Sequence, residues 1–219
     1  MILFEFDIDY YVIYPFVIHL LAYWISSTFF IYLDKIYSTY ATIGYEKYIR
    51  AIKNSLSNQF LITLPILYLL HSNIKYAVIK SENDNLLMSF IKLFIIGNIS
   101  NLIFYCIHRL LHTKLFYKYI HYKHHEYIIP IAPAALYSHP LEHIICNNLA
   151  FMIPYILIGL RYDFLLLSII LGSINTTFSH TKYIESINMN HYIHHKKFNY
   201  NYGFGTTLDK IFRTQYKIK

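Results

Sequence analysis

From Val12 to Leu33 the chain carries no charged residue. A helix needs ~20 apolar residues to cross the ~30 Å hydrocarbon core of a bilayer, and this stretch is long enough. Leu86–Ile107 is a second span, with Lys92 as the one charge near its start. Phe60–Val78 is weaker. Pro65 interrupts it and Lys75 stands near its end, so it is expected to span with tilt or kinking. Ile144–Leu160 and Phe164–Phe178 are each short for a full span. Arg161-Tyr162-Asp163 joins them, which predicts an antiparallel helical hairpin that enters and leaves by one face.

Composition points the same way. Hydrophobic residues make up 56% and charged residues 14%, where an average globular chain carries roughly 25% charged residues. The mean hydropathy is +0.34. The predicted fold is all-α, an integral membrane helical bundle with a cytoplasmic, histidine-rich helical cap. Residues 1–219 read as a single membrane domain. Within it, 1–100 supply N-terminal transmembrane helices and 101–219 form a histidine-box catalytic region. No fused electron-transfer domain is expected. The acidic residues Glu5, Asp7 and Asp9 precede the first span, where a cleavable signal sequence would be positive. Cys106 and Cys146 lie in apolar stretches and read as small buried hydrophobes. They cannot build a disulfide framework or a cysteine zinc site.

The net charge of +7 reads as positive-inside bias. A nucleic-acid partner is not expected, because no recognisable binding module accompanies the charge. Residues 34–58 hold Lys35, Lys47, Arg50 and Lys53, and residues 108–143 hold Arg109, Lys114, Lys118 and Lys123. Residues 179–219 hold Lys182, Lys196, Lys197, Lys210, Arg213, Lys217 and Lys219. Alternating the spans brings all three segments to one face, the cytoplasmic one. The acidic N-terminus, the 79–85 loop and the Arg161 turn then fall opposite.

The thirteen histidines are clustered, and most lie in the positive segments. His108 and His112 are four apart and share one helix face, with Asn101 and Tyr105 upstream on it. His121, His124 and His125 repeat the spacing at i, i+3 and i+4, and His191, His194 and His195 do so again. Neutral imidazole is a good ligand for iron and for zinc. Eight box histidines exceed one octahedral shell and suit two metals, two irons for redox chemistry; the donors suit zinc as well. His180 ends the hairpin at the level of the boxes and is a ninth candidate. His139 is a candidate ligand or a partner to one, with Glu142 orienting a ligand histidine. His143 is expected at the interface, and His19 and His71 are expected to be structural and near the opposite side. A haem reading would use about two to four histidines as axial ligands and leave the HxxHH triplets without a role. No HExxH, nucleophile elbow or phosphate-binding glycine loop is present.

The boxes HRLLH, HYKHH and HYIHH, in this order and spacing from about Asn101 to Thr214, resemble the fatty acid hydroxylase/sterol desaturase superfamily. Ala135, Tyr137, His139, Pro140 and Glu142 resemble the methylsterol monooxygenase branch. Asn201-Tyr202-Gly203, Asp209 and Phe212 match the tail after the third box, which leans towards sterol desaturases. The resemblance implies two irons on His108, His112, His121, His124, His125, His191, His194 and His195, with His180 as the family's extra histidine. It implies molecular oxygen, with electrons from cytochrome b5 or an NAD(P)H reductase. It also implies a site at the cytoplasmic face of the endoplasmic reticulum. Asn101 stands where relatives are usually acidic, and Arg213 where the closing motif has glycine. The implied activity is hydroxylation or desaturation of a lipid, a sterol first. A fatty acid or sphingolipid hydroxylase, and a non-catalytic metal or haem protein, are the alternatives. Aromatic side chains suit a flat ring system, and Tyr137, Phe151, Tyr155 and Phe178 lie in or beside the hairpin expected to wall the slot. The orientation makes one prediction. A glycosylation acceptor placed in residues 196–201 should stay unmodified, and modification there would reverse the topology.

Overall fold

The computed structural model describes residues 8–37, 39–183 and 185–217, without the side chains of residue 9 and residues 185–190. Glu5, Asp7, the Asp9 side chain and Lys219, which entered the orientation argument, lie outside the described residues. Everything regular among the described residues is helical. Five helices there are long and apolar enough to cross a membrane. They are α1 (Tyr10–Ile36), α2 (Tyr45–Lys80), α3 (Leu86–Leu111), α4 (Pro140–Ile158) and α5 (Tyr162–Ser179). A sixth helix, α6 (Glu185–Lys197), carries the third box. The chain is an integral membrane protein. Its outward face keeps Leu21, Ile25, Leu61, Leu69 and Phe94 exposed, as lipid contact requires.

Local chemistry sets the helix ends. Asn85 caps α3 by accepting a hydrogen bond from the Met88 amide at 2.9 Å. Gly44, at φ +89°, precedes α2 and Gly159, at φ +80°, ends α4, both in a region open to glycine. Lys92, the one charge in the second apolar run, sits at the membrane edge. It pairs with Asp84 at 2.5 Å and donates to Ser81 at 3.0 Å. Arg161 donates to the Asp84 carbonyl at 3.1 Å and pairs with Asp163. This end of the bundle, opposite the histidines, is therefore laced by three short segments.

Two expectations are corrected, and one span proves longer than its apolar core. The segment around Lys47–Lys53 and the weak span after it form one helix, α2, ~54 Å long at 1.5 Å per residue. Pro65 does not break it, because a π turn, Gln59–Thr63, comes just before and has already loosened the hydrogen-bond ladder. The hairpin arms are joined by a tight turn but take different partners. The second half of α4 packs on α3 and α2, while α5 packs on α1. The space this leaves becomes a cavity. Cys146 is buried as expected, but Cys106 is exposed; it lies on the outer face of α3, where a small side chain suits lipid.

The main core gathers Val12, Phe16, Leu67, Ile74, Ala77, Val78, Ile96, Tyr155, Leu160, Phe164 and Leu165 from all five spanning helices at the end away from the boxes. Gly159 is its tightest point. A Cβ there would stand 2.6 Å from Ser81 Oγ and 2.7 Å from the Ala77 carbonyl oxygen. Gly159→Ala should therefore cost about 2 kcal/mol through overpacking and strain. A thermal midpoint in detergent lowered by about 5 °C is expected; an unchanged midpoint would show that the α4–α5 turn is loose.

Candidate metal centre

The three boxes converge although they sit on different scaffolds. His108 lies in the last turn of α3 and His112 is the residue that closes it. His121, His124 and His125 were expected on an α-helix; they occupy a short 3₁₀ helix, His121–Glu126. The triplet divides so that His121 and His125, four apart, point one way and His124 another, and α6 divides its own triplet in the same manner, with His191 and His195 apart from His194. His191, His194 and His195 lie on α6, and His180 caps the end of α5.

The ring nitrogens form two groups, within each of which all ligand atoms lie inside 4.8 Å. His108, His112, His121, His125 and His194 make the first; His124, His180, His191 and His195 make the second. In the first group, neighbouring Nε2 atoms stand 2.9–3.2 Å apart, as for His121 and His112 (2.9 Å) and for His125 and His194 (3.2 Å). A metal–nitrogen bond of ~2.1 Å separates adjacent donors by ~3.0 Å in an octahedron and ~3.4 Å in a tetrahedron. Five donors at the octahedral spacing exceed the four that structural zinc takes. In the second group the spacings are 3.1 Å for His191–His180, 3.2 Å for His195–His191 and 3.4 Å for His180–His124.

The other ring nitrogen fixes the tautomers. His108 Nδ1 donates to the Tyr202 carbonyl at 2.7 Å, and His194 Nδ1 to the Tyr200 carbonyl at 2.6 Å. His124 Nδ1 donates to the Tyr137 carbonyl at 3.1 Å, and His180 Nδ1 to the Thr176 carbonyl at 2.9 Å. His121 Nδ1 lies 2.9 Å from Glu142 Oε1, inside the bundle. A carbonyl only accepts, so the four imidazoles held by carbonyls carry their protons on Nδ1 and present lone pairs at Nε2. His124 and His180 thus face each other lone pair to lone pair at 3.4 Å. Such an arrangement suits a cation between the rings, and the donor set fits a metal ion in each group.

His139 does not join either group. Its Nδ1 accepts from the Leu141 amide at 3.2 Å and caps the start of α4. His143 is not interfacial but buried, with Nε2 2.9 Å from Thr63 Oγ1. Asn101 holds no histidine; its Oδ1 accepts from the Phe204 amide at 3.2 Å and ties the tail to α3. Asp209, a matched tail residue with no role assigned from sequence, is buried and accepts from the Tyr202 and Gly203 amides at 2.8 and 3.0 Å. It thereby sets the carbonyl that orients His108. Arg213 adopts φ +57°, a conformation that explains why the resemblance expects glycine there. The carbonyl partners at Tyr137, Thr176, Tyr200 and Tyr202 left no sequence signal, since any residue supplies a carbonyl.

Below the histidines lies a cavity of about 500 Å³. Its walls run from His108, His121, His124, His180 and His191 to Tyr11, Ile74 and Tyr155 at the other end of the bundle. Phe151 and Tyr155 line it as expected. Tyr137 and Phe178 do not: Tyr137 stacks edge-on against Tyr127, and Phe178 packs on Phe30.

Burial keeps the imidazoles beyond the spans neutral. It lowers His124 from the ordinary 6.5 to about 4 and His180 to about 3. His112 falls to about 2, and neighbouring rings add to the effect of burial. His121, His125, His191, His194 and His195 also lie well below 6.5 for the same reasons.

Residues 93–214 match the family described as fatty acid hydroxylase. The chain is similar to "Fatty acid hydroxylase domain-containing protein 2" of Homo sapiens, at 34% identity over 78% of this chain and 53% of that protein. It is similar to "Fatty acid hydroxylase ahd1" of Mycosarcoma maydis, at 36% over 53% of this chain and 31% of that one. It is also similar to "Methylsterol monooxygenase 1" of Gallus gallus, at 36% over 46% and 35% respectively. The chain spans about half the length of the first of these relatives. No solved structure matches.

The depressed basicities carry a sign. In the unfolded chain these histidines take up protons below about 6.5, while in the fold they stay neutral, so stability is full above that value and lost as pH falls. The thermal midpoint of chelator-stripped protein should be flat above about pH 7 and fall steeply from about pH 6.5 towards 4. A midpoint that stays level across that window would contradict the neutral, buried cluster.

Proposed function

The chain belongs to the fatty acid hydroxylase family, and from that premise we propose that it is a membrane oxygenase. In this reading the two histidine groups hold two irons, and a lipid, specifically a sterol, is hydroxylated or desaturated in the cavity beneath them. The observation that carries the reading is continuity. His108, His121, His124, His180 and His191 belong to the two groups and also line the cavity that runs into the membrane interior. A metal pair there would supply activation of molecular oxygen, with electrons from cytochrome b5 or an NAD(P)H reductase.

The chain's own residues do the rest. Glu142 holds the His121 ring and its proton at Nδ1, which keeps Nε2 free and raises its donor strength. The carbonyls of Tyr202, Tyr200, Tyr137 and Thr176 do the same for four further rings. The apolar walls of α3, α4 and α5 exclude water and present the lipid end-on to the histidines. Phe104, Phe151 and Phe204 form an aromatic wall beside the first group, with Phe151 and Phe204 stacked at 5.7 Å, a surface suited to a flat ring system. The similarity to a methylsterol monooxygenase supports a sterol in this reading. The positive residues around the boxes orient the site to the cytoplasm, and the endoplasmic reticulum is the membrane that this reading assigns.

The test is expression with cytochrome b5 in cells lacking a methylsterol oxidase or a sterol desaturase, followed by lipid profiling. Hydroxylated, demethylated or desaturated sterol should appear with the intact chain and vanish with His124→Ala or His194→Ala. Oxidised acyl chains or sphingoid bases with sterols unchanged would overturn the sterol. No oxidised lipid of any kind would overturn the oxygenase.

A further inference from the structure

Midway down the cavity, four polar side chains form a relay whose direction is fixed by chemistry. The Trp24 indole can only donate, and it donates to Gln59 Oε1 at 2.9 Å. The Gln59 amide nitrogen therefore faces His19 Nε2, at 3.1 Å, and donates to its lone pair. His19 then carries its proton on Nδ1, which donates to Ser173 Oγ at 2.9 Å. The Ser173 hydroxyl is left as a donor with no protein acceptor among the described residues. Ser173 is buried and lines the cavity.

A second set meets the first within one turn of α2. The Asn147 amide nitrogen lies 3.2 Å from His143 Nδ1, and His143 Nε2 lies 2.9 Å from Thr63 Oγ1. Read in that direction, the Thr63 hydroxyl is also left free to donate into the cavity, which Thr63, His143 and Asn147 all line. Thr63 and His143 both sit in π turns, Gln59–Thr63 and His143–Leu149, and those turns pack against each other. Such bulges tend to occur at functional positions. Buried polar groups in a membrane are costly and call for a role. The hydroxyls of Ser100 and Tyr155 on the same walls are buried without hydrogen-bond partners among the described residues.

Among the described residues, no lysine or arginine lines the cavity, and its one carboxylate, Glu142, is engaged with His121. An anionic headgroup would have no counter-ion there. Ser173 lies seven residues before His180 on α5, so it is on the same face and on the order of 10 Å further from the metal ligands.

We propose that Ser173, set by the Trp24–Gln59–His19 relay and joined by Thr63, donates a hydrogen bond to the hydroxyl or carbonyl oxygen of an uncharged lipid. The proposal rests on the cavity being a lipid site. It adds that the lipid is recognised inside the membrane by a neutral oxygen, not by a charged head at the surface.

Binding of matched lipids to the purified, detergent-solubilised protein tests this without turnover. The probes are cholesterol against cholestane, octadecanol against octadecane, and stearate. In the pair whose shape suits the cavity, the alcohol should bind about tenfold more tightly than its hydrocarbon, the worth of two neutral hydrogen bonds. Ser173→Ala combined with Thr63→Val should abolish that preference and leave hydrocarbon binding unchanged. Ser173→Thr, which keeps the hydroxyl, should retain it. Hydrocarbon binding reports folding, and Ser173→Ala alone, expected to lose about threefold, replaces the double variant if that binds neither lipid. Equal binding of alcohol and hydrocarbon in both pairs overturns the subsite, as does a preference that survives the substitutions. Stearate bound as tightly as octadecanol overturns the neutral class. A chain that oxidises lipid but shows no alcohol preference loses the subsite and keeps the oxygenase; the converse result does the reverse.

Discussion

Two neutral imidazoles that point lone pairs at each other across 3.4 Å repel, and burial denies them the proton that would relieve it. His124 and His180 stand in this relation. The rings are held there because each Nδ1 proton is bound elsewhere, to the Tyr137 and Thr176 carbonyls, and the Tyr202 and Tyr200 carbonyls fix His108 and His194 likewise. The cost of forming the cluster is thus built into the backbone of the tail, the 3₁₀ segment and the end of α5. A metal ion between the rings would change the sign of this interaction and so couple binding to the stability of the whole cap.

The membrane shapes what lies beneath. Lipid surrounds the bundle, so outward faces carry Leu, Ile and Phe and little information. Information is concentrated inward, where α4 and α5 diverge and leave a space that reaches from the histidines to Tyr155. The polar residues His19, Thr63, His143 and Ser173 in that space are paired with one another or with Gln59 and Asn147 rather than with ions. They make the interior selective without making it charged.

Much of this was legible in the sequence, for identifiable reasons. Uncharged runs reveal spans, because a bilayer tolerates few alternatives. Histidines at i, i+3 and i+4 reveal convergence even where the local helix type is misjudged, as at His121–Glu126, since both helix types bring such neighbours to one side. Partners were harder to see. Glu142 was legible because a carboxylate is a distinctive partner for an imidazole. The four carbonyls were not, because they belong to the backbone. His139 drew attention by its type and neighbours yet serves as a helix cap. The π turn before Pro65, which lets α2 continue, arises from packing that no periodicity encodes.

The tail that follows the third box has a temporal consequence. Asp209 shapes the loop whose Tyr202 carbonyl orients His108, Thr214 is bonded to Tyr105, and Phe204 is bonded to Asn101. The first box, made early, is therefore aligned by residues translated about a hundred positions later. A nascent chain that has inserted all five spans still lacks the brace for its earliest ligand. The arrangement of rings that could hold metal is therefore complete only once residue 214 has been made, well after the fifth span.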